Sequence, residues 1–70
     1  MEELQRRRMK MGKTQKNLSE ESGVSQQAIS AIERGDNINP GIHTARKLAK
    51  ALECTVDDLF PEQQEENNHD

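Results

Sequence analysis

The 70-residue sequence predicts an all-α fold of five short helices followed by a disordered acidic C-terminal tail. Three observations lead to this prediction. Apolar residues recur three or four positions apart, as they do along one face of a helix. Glycine, proline and small hydroxyl residues divide the chain at the points where helices begin and end. Only 30% of the residues are hydrophobic and 1% aromatic, so the core is expected to be aliphatic and thin.

The first predicted helix spans residues 2–11, and Leu4 and Met9 are its candidate core residues. Gly12 follows and is expected to end it, because glycine is a poor helix former and a common stop. The remaining side chains of this segment are largely basic: Arg6, Arg7, Arg8 and Lys10.

Two further helices are predicted over residues 14–22 and 25–34, joined by a tight turn. Thr14 and Ser25 are their predicted caps, because each hydroxyl can accept a hydrogen bond from an unsatisfied backbone N–H of the first turn. Gly23 lies where the chain must stop and turn, and glycine adopts the positive φ of such a turn at little cost.

The third helix is expected to have a packed back and a polar front. Ile29 and Ile32 are three residues apart and share one face. Gln26, Gln27 and Ser30 occupy the opposite face, which therefore carries amides and a hydroxyl. A short helix of this kind suits the reading of base edges in the DNA major groove.

The last two helices follow a loop predicted at residues 35–41, which are dense in turn formers. Residues 42–52 predict a fourth helix with an apolar face opposite a basic one. Thr55 and Asp58 predict a capping box that opens a short fifth helix, which ends by Pro61. The apolar residues of that helix are Val56, Leu59 and Phe60.

The predicted domain covers residues 1–61, and residues 62–70 are predicted to be a flexible acidic tail. The tail has no apolar residue whose burial would offset the entropy of ordering. The formal net charge of −3 is unevenly distributed. Residues 4–52 carry +6 and residues 53–70 carry −7, so a basic body that favours phosphate precedes an acidic end.

The composition also predicts what the chain lacks. No apolar run is long enough to span a membrane, and no secretory signal is visible. A single cysteine, Cys54, cannot form an internal disulfide, which fits a cytoplasmic location. No catalytic, cofactor-binding or metal-binding pattern occurs, so we expect neither an enzyme nor a small-molecule ligand.

The segment 14–35 resembles the helix-turn-helix of the phage Cro and repressor (Xre) family, and the resemblance extends over residues 4–60. It implies a five-helix, lambda-repressor-like DNA-binding domain. The residues that carry it are Gln15, Gly23-Val24-Ser25, Ile29-Ser30, Ile32-Glu33-Arg34-Gly35, Asn39-Pro40, Leu48-Ala49-Lys50-Ala51-Leu52 and Asp58-Leu59-Phe60.

The resemblance implies DNA contacts for several of these positions. Residues at the positions of Gln26 and Gln27 contact base edges in the family, and Ser30 is a weaker candidate that faces the same way. The alternative is that all three are ordinary exposed helix residues without a contact to DNA. Phosphate contacts are expected from the amide of Gln15, from the flanking Lys13 and Lys16, and from Arg34 at the end of the third helix.

Two structural roles also follow from the resemblance. Arg8 and Glu33 are expected to form an intramolecular ion pair between the first and third helices, and the alternative is two exposed charges. The apolar residues of the fifth helix (Val56, Leu59 and Phe60) are candidates for a dimer interface. The residues alone do not separate that role from a place in the monomer core.

A sequence-specific transcriptional regulator is the predicted function. We expect a repressor that binds a palindromic operator as a homodimer and blocks polymerase. Asp36 and Asn37 depart from the family pattern, since a basic residue there would add phosphate affinity. The alternative is a protein-interaction module, similar to an antitoxin, that docks or neutralises a partner protein.

Overall fold

The computed structural model of the protein describes residues 2–37 and 39–61. Within those ranges every regular element is a helix, which confirms the all-α prediction. The predicted tail and its boundary with the domain lie outside the described residues. The five helices are α1 (Glu2–Lys10), α2 (Gln15–Ser22), α3 (Gln26–Arg34), α4 (Ile42–Ala51) and α5 (Val56–Leu59).

The ends of α2 and α3 are fixed by the predicted hydroxyl caps. The Thr14 side chain accepts a hydrogen bond from the backbone N–H of Asn17 at 3.0 Å. The Ser25 side chain accepts one from the backbone N–H of Ala28 at 3.1 Å. Between the two helices, Gly23 has a φ of 80°, a left-handed conformation that favours glycine. The turn and both helix starts are therefore determined locally.

The core is aliphatic apart from one phenylalanine. Helix α2 packs against α3 and α4, α1 packs against α3, and α4 packs against α5. Helix α3 is thus held from behind by two neighbours, which leaves its opposite face open. The buried apolar residues are Leu4, Leu18, Val24, Ile29, Ile32, Ala45, Leu48, Ala49, Leu52, Val56, Leu59 and Phe60.

Met9 is not a core residue, contrary to the sequence-based expectation, and remains 61% exposed. Helix α1 buries Leu4 and Arg8, which are four residues apart and therefore share one face. Met9 lies one residue further, about 100° around the helix, and so it points away from that face. Arg8, a charged residue, is therefore buried where the apolar pattern predicted Met9.

The apolar residues of α5 and the Phe60 that follows it lie in the monomer core. Val56, Leu59 and Phe60 pack into the core of the single chain, and Leu59 is fully buried. Burial within one chain accounts for these side chains without a second copy, and their part in a dimer interface stays a prediction. The capping box between Thr55 and Asp58 is present and holds α5 in this position.

Candidate nucleic-acid interface

The outer face of α3 presents two glutamines. Gln26 and Gln27 form its first turn, directly after the Ser25 cap, and both side chains are exposed. Ile29 and Ile32 are buried on the inner face and anchor the helix to the core. The amides therefore project outward from a rigidly supported helix start, in the arrangement expected for contacts with base edges.

Farther along the same face, Ser30 and Arg34 contact each other. Arg34 Nη1 donates a hydrogen bond to Ser30 Oγ at 2.5 Å, and Arg34 Nε donates one to Asp36 Oδ2 at 2.9 Å. The guanidinium is thus folded back by one turn along α3. Ser30, a candidate for base contact, uses its hydroxyl oxygen to hold Arg34.

The start of α2 lies beside the last turn of α3. Gln15 Nε2 donates a hydrogen bond to Glu33 Oε1 at 3.0 Å, which joins the two helices there. Lys13 Nζ lies 2.5 Å from Glu21 Oε1. Lys16 is exposed and forms no ion pair within the described ranges. Of the candidate phosphate-binding residues, Gln15 is thus bonded to α3, whereas Lys13 is paired with a residue of α2.

A buried, forked ion pair holds this arrangement together. Arg8 Nε lies 2.7 Å from Glu33 Oε2, and Arg8 Nη2 lies 3.0 Å from Glu33 Oε1. The side chains are only 10% and 4% exposed. The remaining nitrogen, Arg8 Nη1, donates to the carbonyl oxygen of Lys13 at 2.8 Å. Arg8 and Glu33 thus connect α1, the loop before α2, and α3.

Two opposing effects set the pKa of Glu33. Burial desolvates the carboxylate and raises its pKa, whereas the hydrogen bonds from Arg8 and Gln15 and the charge of Arg8 lower it. The lowering effects outweigh the burial, so the pKa of Glu33 lies below its ordinary value. The pKa of Arg8 is raised, because its hydrogen bond to Glu33 favours the charged form.

The lowered pKa of Glu33 predicts a loss of stability in acid. A group whose pKa is lower when folded stabilises the fold above its unfolded pKa, about 4.3 for glutamate, and loses that effect as the pH falls through the folded pKa. The gap in free energy of unfolding between the native chain and Glu33→Gln should therefore shrink below about pH 4.3. Urea unfolding of both proteins between about pH 2.5 and 6 measures this difference in free energy of unfolding. A gap that stays constant across that range would contradict the assignment.

The acidic partners of Lys13, Gln15 and Arg34 were not anticipated from the sequence. Lys13 and Glu21 are eight residues apart, and Gln15 and Glu33 are eighteen apart, so no spacing rule links them. Only the Arg34–Asp36 pair is close in sequence. The others arise because the turn at Gly23 and the packing of α2 on α3 bring distant positions together.

No group of three potential metal ligands occurs in the described part of the chain. None of the described helices is long and apolar enough to cross a bilayer.

Five short helices, with a capped third helix that exposes amides and a preceding helix joined to it by a glycine turn, define a helix-turn-helix DNA-binding domain. A helix-turn-helix family model matches residues 4–59. The chain belongs to the Xre-type helix-turn-helix family of transcriptional regulators, which bind DNA and are not enzymes.

Several curated relatives carry the same class of name. The HTH-type transcriptional regulator YgzD of Bacillus subtilis is 38% identical over 53 residues, which cover 76% of this chain and 79% of the relative. An HTH-type regulator of Archaeoglobus fulgidus is 36% identical over 53 residues, 76% of this chain and 74% of the relative. The regulator SlrR of Bacillus subtilis is 38% identical over 53 residues, but these are only 35% of its length. No solved structure gives a significant match.

Proposed function

We propose that the protein is a repressor that binds a palindromic operator as a homodimer, with α3 of each copy in the major groove. The observation that carries this proposal is the pair of exposed amides, Gln26 and Gln27, on the first turn of a helix whose back is buried. Repression would be steric, because a domain seated on a promoter blocks polymerase.

The amide of glutamine is suited to adenine. It can donate to N7 and accept from the N6 amino group at once, a bidentate contact worth about 1–3 kcal/mol of discrimination against other bases. We therefore propose that Gln26 and Gln27 read adjacent bases in each half-site, and that neighbouring Ser30 contributes mainly by holding Arg34.

The length of α3 supports a dimer. Its nine residues span about 13.5 Å, at about 1.5 Å per residue. This is the length of about four base pairs at about 3.4 Å each, too few to define one site in a genome. Two copies related by a twofold axis would double the site, with half-site centres about 34–36 Å apart.

Phosphate contacts would position each copy without specifying sequence. Gln15 and the backbone N–H groups at the start of α2 can donate hydrogen bonds to a phosphate, and the partial positive charge of the helix N-terminus favours it. Lys13 and Lys16 would add positive charge near the start of α2, and Arg34 at the end of α3. We place this activity in the cytoplasm, since the free thiol of Cys54 suits a reducing compartment.

Selection of bound duplexes from a random pool at near-physiological salt tests the proposal. An enriched inverted repeat, with half-site centres about 10–10.5 base pairs apart, is expected. Insertion of about half a helical turn between the half-sites should abolish tight binding, because the second copy then faces the wrong side of the duplex. A pool that shows no enrichment would contradict the proposal and favour the protein-interaction module.

A further inference from the structure

Three of the four side chains proposed to contact phosphate already bond a carboxylate of their own chain. Only four acidic residues lie between residues 4 and 52, and three of them take part in these bonds. Glu20 is the fourth and is not among them. The pairs are Lys13 with Glu21, Arg34 with Asp36, and Gln15 with Glu33.

Burial divides these three carboxylates into two kinds. Glu33 is almost fully buried and is bonded to Arg8 as well as to Gln15, so it stabilises the fold and does not exchange partners. Glu21 is half-exposed, and the Arg34–Asp36 pair is more than half exposed on both sides. The Lys13 side chain is 17% exposed, but in both pairs the carboxylate is at least half exposed, so water can solvate it when its cation turns to another anion.

We propose that Glu21 and Asp36 are built-in counterions of the DNA-binding face, which DNA phosphates must displace from Lys13 and Arg34. The inference rests on the phosphate contacts of the proposed function and extends it to acidic residues that do not themselves touch bases. Each carboxylate neutralises a cation in the free protein and repels the approaching phosphate.

The consequence is weaker binding to DNA of arbitrary sequence. Non-specific binding depends almost entirely on the attraction between cations and phosphates, so it bears the full effect of the two counterions. Binding to an operator adds contacts from Gln26 and Gln27 that the counterions do not weaken. Displacing the counterions weakens both modes by the same factor, so non-specific affinity falls while the base contacts that discriminate between sequences are kept.

The experiment measures the affinity of the full chain for an arbitrary duplex by fluorescence anisotropy, at about 50 mM and 200 mM salt. Glu21→Gln and Asp36→Asn each remove one negative charge at nearly constant shape. Each should tighten binding about fivefold at low salt, the effect of two unit charges in contact in water, and less at high salt. Glu20→Gln and Asp57→Asn are the matched controls, because both remove an exposed carboxylate outside these pairs.

A second measurement distinguishes pairing from general charge. Lys13→Gln should weaken binding more strongly in the Glu21→Gln background than in the native chain, because only there is the lysine free. Equal tightening by Glu20→Gln and Glu21→Gln would overturn the proposal, as would unchanged or weaker binding by Glu21→Gln and Asp36→Asn. Thermal melting of each variant confirms that it is folded.

The outcome is separable from that of the proposed function. If the random pool gives no enriched repeat while Glu21→Gln and Asp36→Asn still tighten binding selectively, the repressor proposal fails and the counterion proposal holds. If none of the proteins binds duplex DNA at low salt, both fail.

Discussion

Glu33→Gln is expected to lower the free energy of unfolding by about 3–5 kcal/mol, the range found when one partner of a buried ion pair is removed. The reason is geometric. Arg8 is 10% exposed and cannot reach water to solvate its charge once Glu33 is neutral. Gln15 also loses a charged acceptor. The free energy of unfolding of a native domain is only about 5–15 kcal/mol, so much of the native stability would be lost.

Urea unfolding followed by circular dichroism measures this loss. Asp36→Asn is the matched control, because it breaks an exposed pair and should cost less than about 1 kcal/mol. The double variant Arg8→Met, Glu33→Met tests the cause, since replacing both partners leaves no stranded charge and should recover much of the stability. Equal unfolding midpoints for Glu33→Gln and the native chain would show that the pair is not structural.

The largest effect on binding is expected from Gln26→Ala combined with Gln27→Ala. Loss of two bidentate contacts should weaken binding to the operator by about 2–6 kcal/mol per half-site, which is thirtyfold or more. Affinity for a scrambled duplex should stay nearly unchanged, because the amides carry no charge. Fluorescence anisotropy on both duplexes separates the two quantities.

Gln5→Ala is the control for this double variant, because Gln5 is an exposed glutamine on α1. It should bind the operator like the native chain. If the glutamine pair instead weakens operator and scrambled duplex equally, its role is not base readout.

Much of the fold follows from local chemistry. The Thr14 and Ser25 caps and the turn at Gly23 depend only on neighbouring residues, and each is present as predicted. The apolar spacing of Ile29 and Ile32 likewise fixes which face of α3 is buried.

The sequence was less informative wherever a role depends on which elements meet. Met9 fits a helical apolar pattern, yet Arg8 is the buried residue because its guanidinium forms an ion pair with Glu33, 25 residues away in the sequence. That pairing was expected only through family resemblance, since no local rule connects such distant residues. Val56, Leu59 and Phe60 illustrate the same limit: apolar periodicity predicts that a face is covered, but not whether the same chain or a second copy covers it, and the structure buries all three within one chain.

A parallel selection tests whether the first turn of α3 reads bases. Native chain and the Gln26→Ala, Gln27→Ala variant would be presented with the same random duplex pool at near-physiological salt. We expect the native chain to enrich an inverted repeat and the variant to lose it at the bases that the glutamines contact. Recovery of the same repeat by both proteins would contradict base reading by the two glutamines and would assign sequence recognition to other residues or to DNA shape.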